Sequence, residues 1–121
     1  MSTDEWLLFL DTTIAGAHYA EREAGADLSK LELGALLVLV REPSNQFDAN
    51  AIRLDHMTQK YGYIPAVQAQ WLAKLLDAGL IARAQVDHVD IVAHKVSIQL
   101  QVHRASFTRY AIRTGKVVAA G

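Results

Sequence analysis

The sequence predicts a mostly-β fold, a small barrel or strongly curved sheet with one strong helix packed on it. Three stretches carry that prediction. Lys95 to His103 alternates cleanly, with Val96, Ile98, Leu100 and Val102 on one face and Ser97, Gln99 and Gln101 on the other. This is the period-two signature of a strand with one wet face. Leu36 to Val40 is a continuous apolar run of the length expected for a buried strand. Between them, a stretch over about 66–78 has helical periodicity.

In chain order, Trp6 to Tyr19 mixes β-branched, aromatic and leucine residues and reads as a strand bent at Gly16. Glu21 to Leu33 is charged and reads as a loop or one short turn. Pro43 stops the Leu36–Val40 strand, because proline cannot donate to a sheet ladder. Ala51 to Asp55 and Tyr61 to Ile64 form the arms of a hairpin around polar residues 56–60. Pro65 opens the helix, where its fixed φ suits a first position. Val67, Trp71, Leu72, Leu75 and Leu76 fall on one apolar stripe, and Gly79 supplies the stop. Trp71 and Leu75 are therefore expected in the core. Ile81 to Val92 is a further strand, followed by Lys95–His103. The basic tail over 104–121 is left as ordered or frayed.

A length of 121 residues favours one domain with a core of its own. The chain is 51% hydrophobic and 21% charged, as globular proteins are. It has no cysteine, which excludes disulfides, thiolate metal sites and cysteine nucleophiles. Met1 to Asp11 lacks the cations and longer apolar run of a secretory signal, and nothing approaches the ~20 apolar residues of a membrane span. A cytoplasmic protein with no membrane partner is expected. The net charge of −1 argues against sequence-blind coating of duplex DNA, which depends on many phosphate contacts. Such a total still leaves room for a pocket that grips one nucleic-acid end.

The informative loop is Arg41-Glu42-Pro43-Ser44-Asn45-Gln46-Phe47-Asp48-Ala49-Asn50-Ala51-Ile52. Asparagine, aspartate and serine between strands serve any loop, because their short side chains bond local backbone. The same residues also concentrate hydrogen-bonding groups around one ring. A carboxylate accepts from a terminal hydroxyl, an amide bonds a sugar or base edge, and a base stacks on an aromatic face at about 1–3 kcal/mol. Because a carboxylate repels phosphate, such a site favours a free hydroxyl over a phosphorylated end.

This run resembles the central motif of the HIRAN domain family. Ile14-Ala15-Gly16-Ala17-His18-Tyr19 is similar to the family's first-strand glycine and aromatic segment, and Gly62-Tyr63-Ile64-Pro65 to its element before a helix. Ala69 to Leu80 is similar to that helix with its closing Asp-x-Gly. The resemblance spans about Leu8 to His103, so the whole chain, 1–121, is expected to be a single HIRAN-like domain. It implies an OB-like β-barrel with accessory helices, of the stand-alone bacterial type, related to the end-binding domain of helicase-like repair ATPases. The implied activity is non-catalytic capture of the 3′-hydroxyl end of single-stranded DNA, guiding a separate helicase or nuclease, with no cofactor. By position, Asp48 would accept from the terminal hydroxyl and Asn45 would contact the terminal nucleotide. Phe47 and Tyr19 would face the bases, with His18 and Asn50 completing the nucleic-acid-binding set. His18 stands where the DNA-binding members have arginine, and Ala20 where they have a second aromatic. These exchanges remove a phosphate contact and a stacking surface.

Other readings stand beside this one. Tyr19 and Phe47 are also readable as core aromatics. A protein-interaction or homo-oligomerising domain of the same fold needs no DNA, and Asp48, Asp55 and Glu42 could hold magnesium in a hydrolase site. The tail interleaves Arg104, Arg109, Arg113 and Lys116 with Phe107 and Tyr110, a pattern shared by single-strand binders and solvated basic termini. None of the five histidines stands in a recognised ligand spacing. His88 and His94 with Asp87 or Asp90 are the nearest to one, across a turn, and no metal is expected.

Overall fold

The computed structural model describes residues 5–113. Six strands form one antiparallel sheet: β1 (Trp6–Thr13), β2 (Leu36–Arg41), β3 (Ile52–His56), β4 (Gln59–Tyr63), β5 (Ala82–Asp90) and β6 (Lys95–His103). Their spatial order is β1-β6-β5-β2-β3-β4. Three α-helices, α1 (Ala17–Glu23), α2 (Ala66–Asp77) and α3 (Arg104–Arg113), and a 3₁₀ turn at Leu28–Lys30 complete the fold. The mostly-β expectation with accessory helices holds. Just beyond β1, Ala15 forms an isolated antiparallel bridge to Tyr63 of β4, the strand at the opposite edge of the sheet.

That bridge consists of two backbone hydrogen bonds, Ala15 N–H to Tyr63 C=O at 2.8 Å and Tyr63 N–H to Ala15 C=O at 2.9 Å. Gly62 makes the approach possible. Its φ is +143°, and an added Cβ would lie 2.5 Å from both the Ala15 carbonyl oxygen and the Ile14 Cγ2 methyl. Real Cβ atoms do not tolerate that distance, so no larger residue fits unless the backbone moves.

β6 behaves as its alternation requires, with Val96, Ile98, Leu100 and Val102 all buried. Leu28, Leu37, Ile52, Leu54 and Leu72 join them in the core. β2 departs from expectation. Only Leu37 is fully buried, and Leu36 and Val38 are exposed. An antiparallel strand with one open face alternates whatever its composition, and here the outward positions happen to be apolar.

Three further expectations are corrected. The first strand does not run on to Tyr19. It ends at Thr13, Gly16 adopts φ +75°, and α1 begins at Ala17. The left-handed glycine turns the chain, and the helix then buries Ala17 and Ala20 one turn apart. The segment from Glu21 to Leu33, expected to be a loop or one short turn, has its short turn, and the helical start at Glu21–Glu23 is what departs from expectation. It contains the end of α1 and the 3₁₀ turn, which Asp27 caps by accepting from the Ser29 N–H at 3.0 Å, with Leu28 fully buried. The apolar stripe of α2 is also rotated. Ala69, Leu72 and Ala73 form the buried face, with Leu75 and Leu76 partly buried, while Val67 is 76% exposed and Trp71 36%. Two of the three fully buried positions are alanines, which a periodicity read from large apolar residues passes over. Trp71 lies at the margin, edge-on to Phe9 with ring centroids 5.4 Å apart.

Helix α2 ends in a Schellman motif: Leu80 N–H bonds the Leu75 carbonyl at 2.9 Å and Gly79 N–H the Leu76 carbonyl at 3.0 Å, with Leu80 buried. Residues 104–113 of the basic tail are helical. Ser106 anchors them, accepting from Ile81 N–H at 3.0 Å and donating to the His103 carbonyl at 2.9 Å. Lys116 and the rest of the tail lie outside the described residues. Among the described residues no helix is long and apolar enough to cross a membrane.

Replacing Gly62 by alanine combines overpacking with an unfavourable backbone region, each costing about 1–3 kcal/mol. Gly62→Ala is expected to lower the unfolding free energy by about 2–4 kcal/mol, measured by urea denaturation. A loss below about 0.5 kcal/mol would show that the Ala15–Tyr63 contact yields freely.

Candidate functional site

A groove of ≈610 Å³ opens where α1, the β2–β3 loop and β4 meet. The isolated bridge lies in its wall, since Ala15, Gly62 and Tyr63 all line it. Tyr19 contributes from α1, Asn45, Phe47 and Asp48 from the loop, and Lys60 from β4.

The loop is held by its own side chains. Asn45 Oδ1 accepts from the Phe47 N–H at 2.9 Å and the Asp48 N–H at 3.1 Å. Asp48 Oδ1 accepts from the Asn50 N–H at 2.8 Å. These short-range turns use residues the sequence marked as loop formers, and they leave Asp48 Oδ2 without a hydrogen bond among the described residues. Asn45 therefore has both a structural part and a place in the groove. Arg41 secures the loop from behind. Its guanidinium donates to the Ala51 carbonyl at 2.8 Å and the Ala49 carbonyl at 3.0 Å, and it forks onto Asp77 with Nε–Oδ1 at 2.9 Å and Nη2–Oδ2 at 3.2 Å. The arginine beside it holds the Asp77 carboxyl below its usual pKa.

Glu42 is the polar centre behind the groove. Its Oε1 accepts from the Tyr63 hydroxyl at 2.8 Å and Asn45 Nδ2 at 3.0 Å, and Oε2 from Arg53 at 2.8 Å. Partial burial pushes its pKa up. The bonds from Asn45, Tyr63 and Arg53, with the charge of Arg53, outweigh that and hold it below the usual glutamate value of 4.5. Arg53 also forks onto Asp55 at 2.9 and 3.0 Å.

Both aromatic candidates lie outside the core. Tyr19 is 65% exposed and Phe47 89%. The structure brings Tyr19, Asn45, Phe47 and Asp48 together in the groove but places His18 and Asn50 outside its lining. Asn50 acts through its backbone N–H. His18, one residue before Tyr19 on α1, faces Glu21 and His94 instead. Ala20, the position noted as lacking the second aromatic of the resembled family, is buried. The acids considered for magnesium do not converge: Arg53 stands between Glu42 and Asp55, and Asp48 forms no three-donor group with them among the described residues.

Sequence reasoning missed Lys60 and Tyr63. The Lys60 ammonium sits 4.6 Å from the Tyr63 ring centroid, which places a cation in the groove. Tyr63 was legible as part of Gly62-Tyr63-Ile64-Pro65. Lys60 carried no signal beyond its place in a hairpin.

A mostly-β domain with a preformed groove of exposed rings, one open carboxylate oxygen and one cation belongs to the class of small binding modules. Residues 7–105 match the HIRAN domain, and the chain belongs to that family. It is similar to a protein of Lactobacillus plantarum known by crystal structure, at 28% identity and a TM-score of 0.71, over 80% of this chain and 94% of that one. It also shares its fold with the HIRAN domain of human HLTF, at 17% identity and a TM-score of 0.68, over 95% of this chain and 94% of that one. No curated protein matches the chain.

Because folding depresses the Glu42 pKa, its carboxylate stabilises the fold above the unfolded value near 4.5, and that contribution fades as pH falls through the lower folded value. Glu42→Gln is expected to cost about 1 kcal/mol at pH 7, allowing for solvent screening. The deficit should shrink progressively below pH 4.5 in urea denaturation. A deficit that stays constant with pH would mean the charge of Glu42 contributes nothing.

Proposed function

We propose that this HIRAN domain is a non-catalytic module that captures the 3′-hydroxyl end of single-stranded DNA and guides a separate helicase or nuclease to it. The observation that carries the reading is Asp48. Asp48 lines the groove with one carboxylate oxygen committed to the Asn50 N–H, and the exposed residues Tyr19 and Phe47 line it too. The other oxygen is available to accept from a terminal 3′-hydroxyl. A 3′-phosphate at that place would set two anions against each other in a partly desolvated site. Phe47 and Tyr19 offer stacking faces that any base can use, which suits an end reader with little sequence preference. Asn45 Nδ2, with one hydrogen engaged by Glu42, keeps a second for the terminal nucleotide.

The family resemblance supplies the nature of the ligand, and Lys60 supports it. With His18 turned toward Glu21 and His94, the phosphate contact passes to the Lys60 ammonium. A single cation predicts shallow salt dependence, with log affinity falling at a slope of about 0.7 per phosphate contacted.

Fluorescence anisotropy with short labelled single strands ending in 3′-hydroxyl or 3′-phosphate tests the reading. The hydroxyl end should bind more tightly, and Asp48→Ala should abolish that preference. Phe47→Ala should weaken both ends roughly 5- to 150-fold through lost stacking. Equal binding of both ends by the unaltered protein would overturn end capture, and no binding at low salt would leave a protein partner as the ligand.

A further inference from the structure

We propose that His18, Glu21 and His94 form a binding site for a divalent transition-metal ion of the zinc class. His18 and Glu21 stand three residues apart on α1, and His94 arrives from the β5–β6 turn. One ligand atom from each lies within 4.8 Å of the other two. His94 Nδ1 is 2.7 Å from Glu21 Oε1, and His18 Nδ1 is 4.0 Å from the same oxygen. The two imidazole rings lie with centroids 4.1 Å apart.

A hydrogen bond from His94 to Glu21 accounts for part of this arrangement. It leaves His18 beyond hydrogen-bond reach of the carboxylate and packed against another imidazole. The turn sets where His94 points: it has φ +53°, the left-handed conformation that a hairpin turn uses. The turn is held there by the Ala93 N–H on Asp90 Oδ1 at 3.0 Å and the His94 N–H on the Ile91 carbonyl at 3.3 Å.

The geometry fits a small cation. Bonds of about 2.0–2.1 Å at tetrahedral angles place neighbouring donors about 3.3 Å apart. The observed 2.7 and 4.0 Å bracket that spacing, and the half-exposed imidazoles close the difference with small rotations. Two imidazoles and one carboxylate suit zinc, cobalt, nickel or copper, whereas magnesium and calcium require oxygen donors. The site faces solvent, so water completes the coordination. An ion there would tie α1, which carries Tyr19 into the groove, to the β5–β6 turn. None of this depends on the ligand of the groove, and either proposal can fail alone.

The test is isothermal titration calorimetry of the untagged full chain, stripped with chelator, against zinc chloride, with visible spectroscopy of the cobalt form. One equivalent of zinc should bind, magnesium should not, and cobalt should show the intense absorption of a low-coordinate nitrogen and oxygen site. His18→Gln, Glu21→Gln and His94→Gln should each weaken zinc binding roughly tenfold or more, while His88→Gln leaves it unchanged. Unaltered circular dichroism of the variants separates ligand loss from misfolding. Absence of saturable zinc binding, or affinity that survives both histidine substitutions, would overturn the site and leave a hydrogen-bonded cluster only.

Discussion

The pair of hydrogen bonds between Ala15 and Tyr63 is the constraint on which the groove depends. They join the chain beyond the first strand to the last strand of the sheet, and α1 begins two residues after Ala15. The position of Tyr19 against the loop therefore follows from a contact between backbones. That contact requires Gly62, because any Cβ there would occupy the space of the Ala15 carbonyl. Buried backbone groups left unpaired are costly, so the bridge and the bare glycine support each other.

Tyr63 connects this constraint to the polar chemistry. Its backbone makes the bridge, its ring carries the Lys60 ammonium, and its hydroxyl donates to Glu42. Glu42 in turn holds Asn45, which turns the loop that presents Phe47 and Asp48. Arg41 fixes the rear of the same loop to the end of α2 through Asp77. An exposed ring such as Phe47 contributes little to the fold and is costly in water, so its place depends on this scaffold. Such a preformed loop loses less entropy when a ligand binds.

Much of this was legible in order along the chain. The alternation of β6, the β3–β4 hairpin and the Pro65-to-Gly79 helix each rest on local rules that the structure obeys. The loop residues Asn45 and Asp48 were recognisable because their side chains bond their own neighbours. The misread burials have one cause. Leu36, Val38, Val67 and Trp71 are apolar yet exposed or marginal, because hydrophobicity says what a residue tolerates and not which way a packed element is turned. Likewise α1 was hidden because a seven-residue helix has too few turns to show a period, and its two buried positions are alanines.

By itself the sequence determined the six strands and helix α2, the absence of thiol chemistry and the loop that turns on Asn45 and Asp48. Those are local properties, set by side-chain periodicity and hydrogen bonds over a few residues. Tertiary structure decided which groups meet: Tyr19 with Phe47 across the groove, Lys60 over Tyr63, Glu42 with Arg53, and His94 with Glu21 from 73 residues away. Distance along the chain carries no information about such meetings. They arise only when the strands take their register and the chain beyond β1 bridges to β4 at Ala15 and Tyr63.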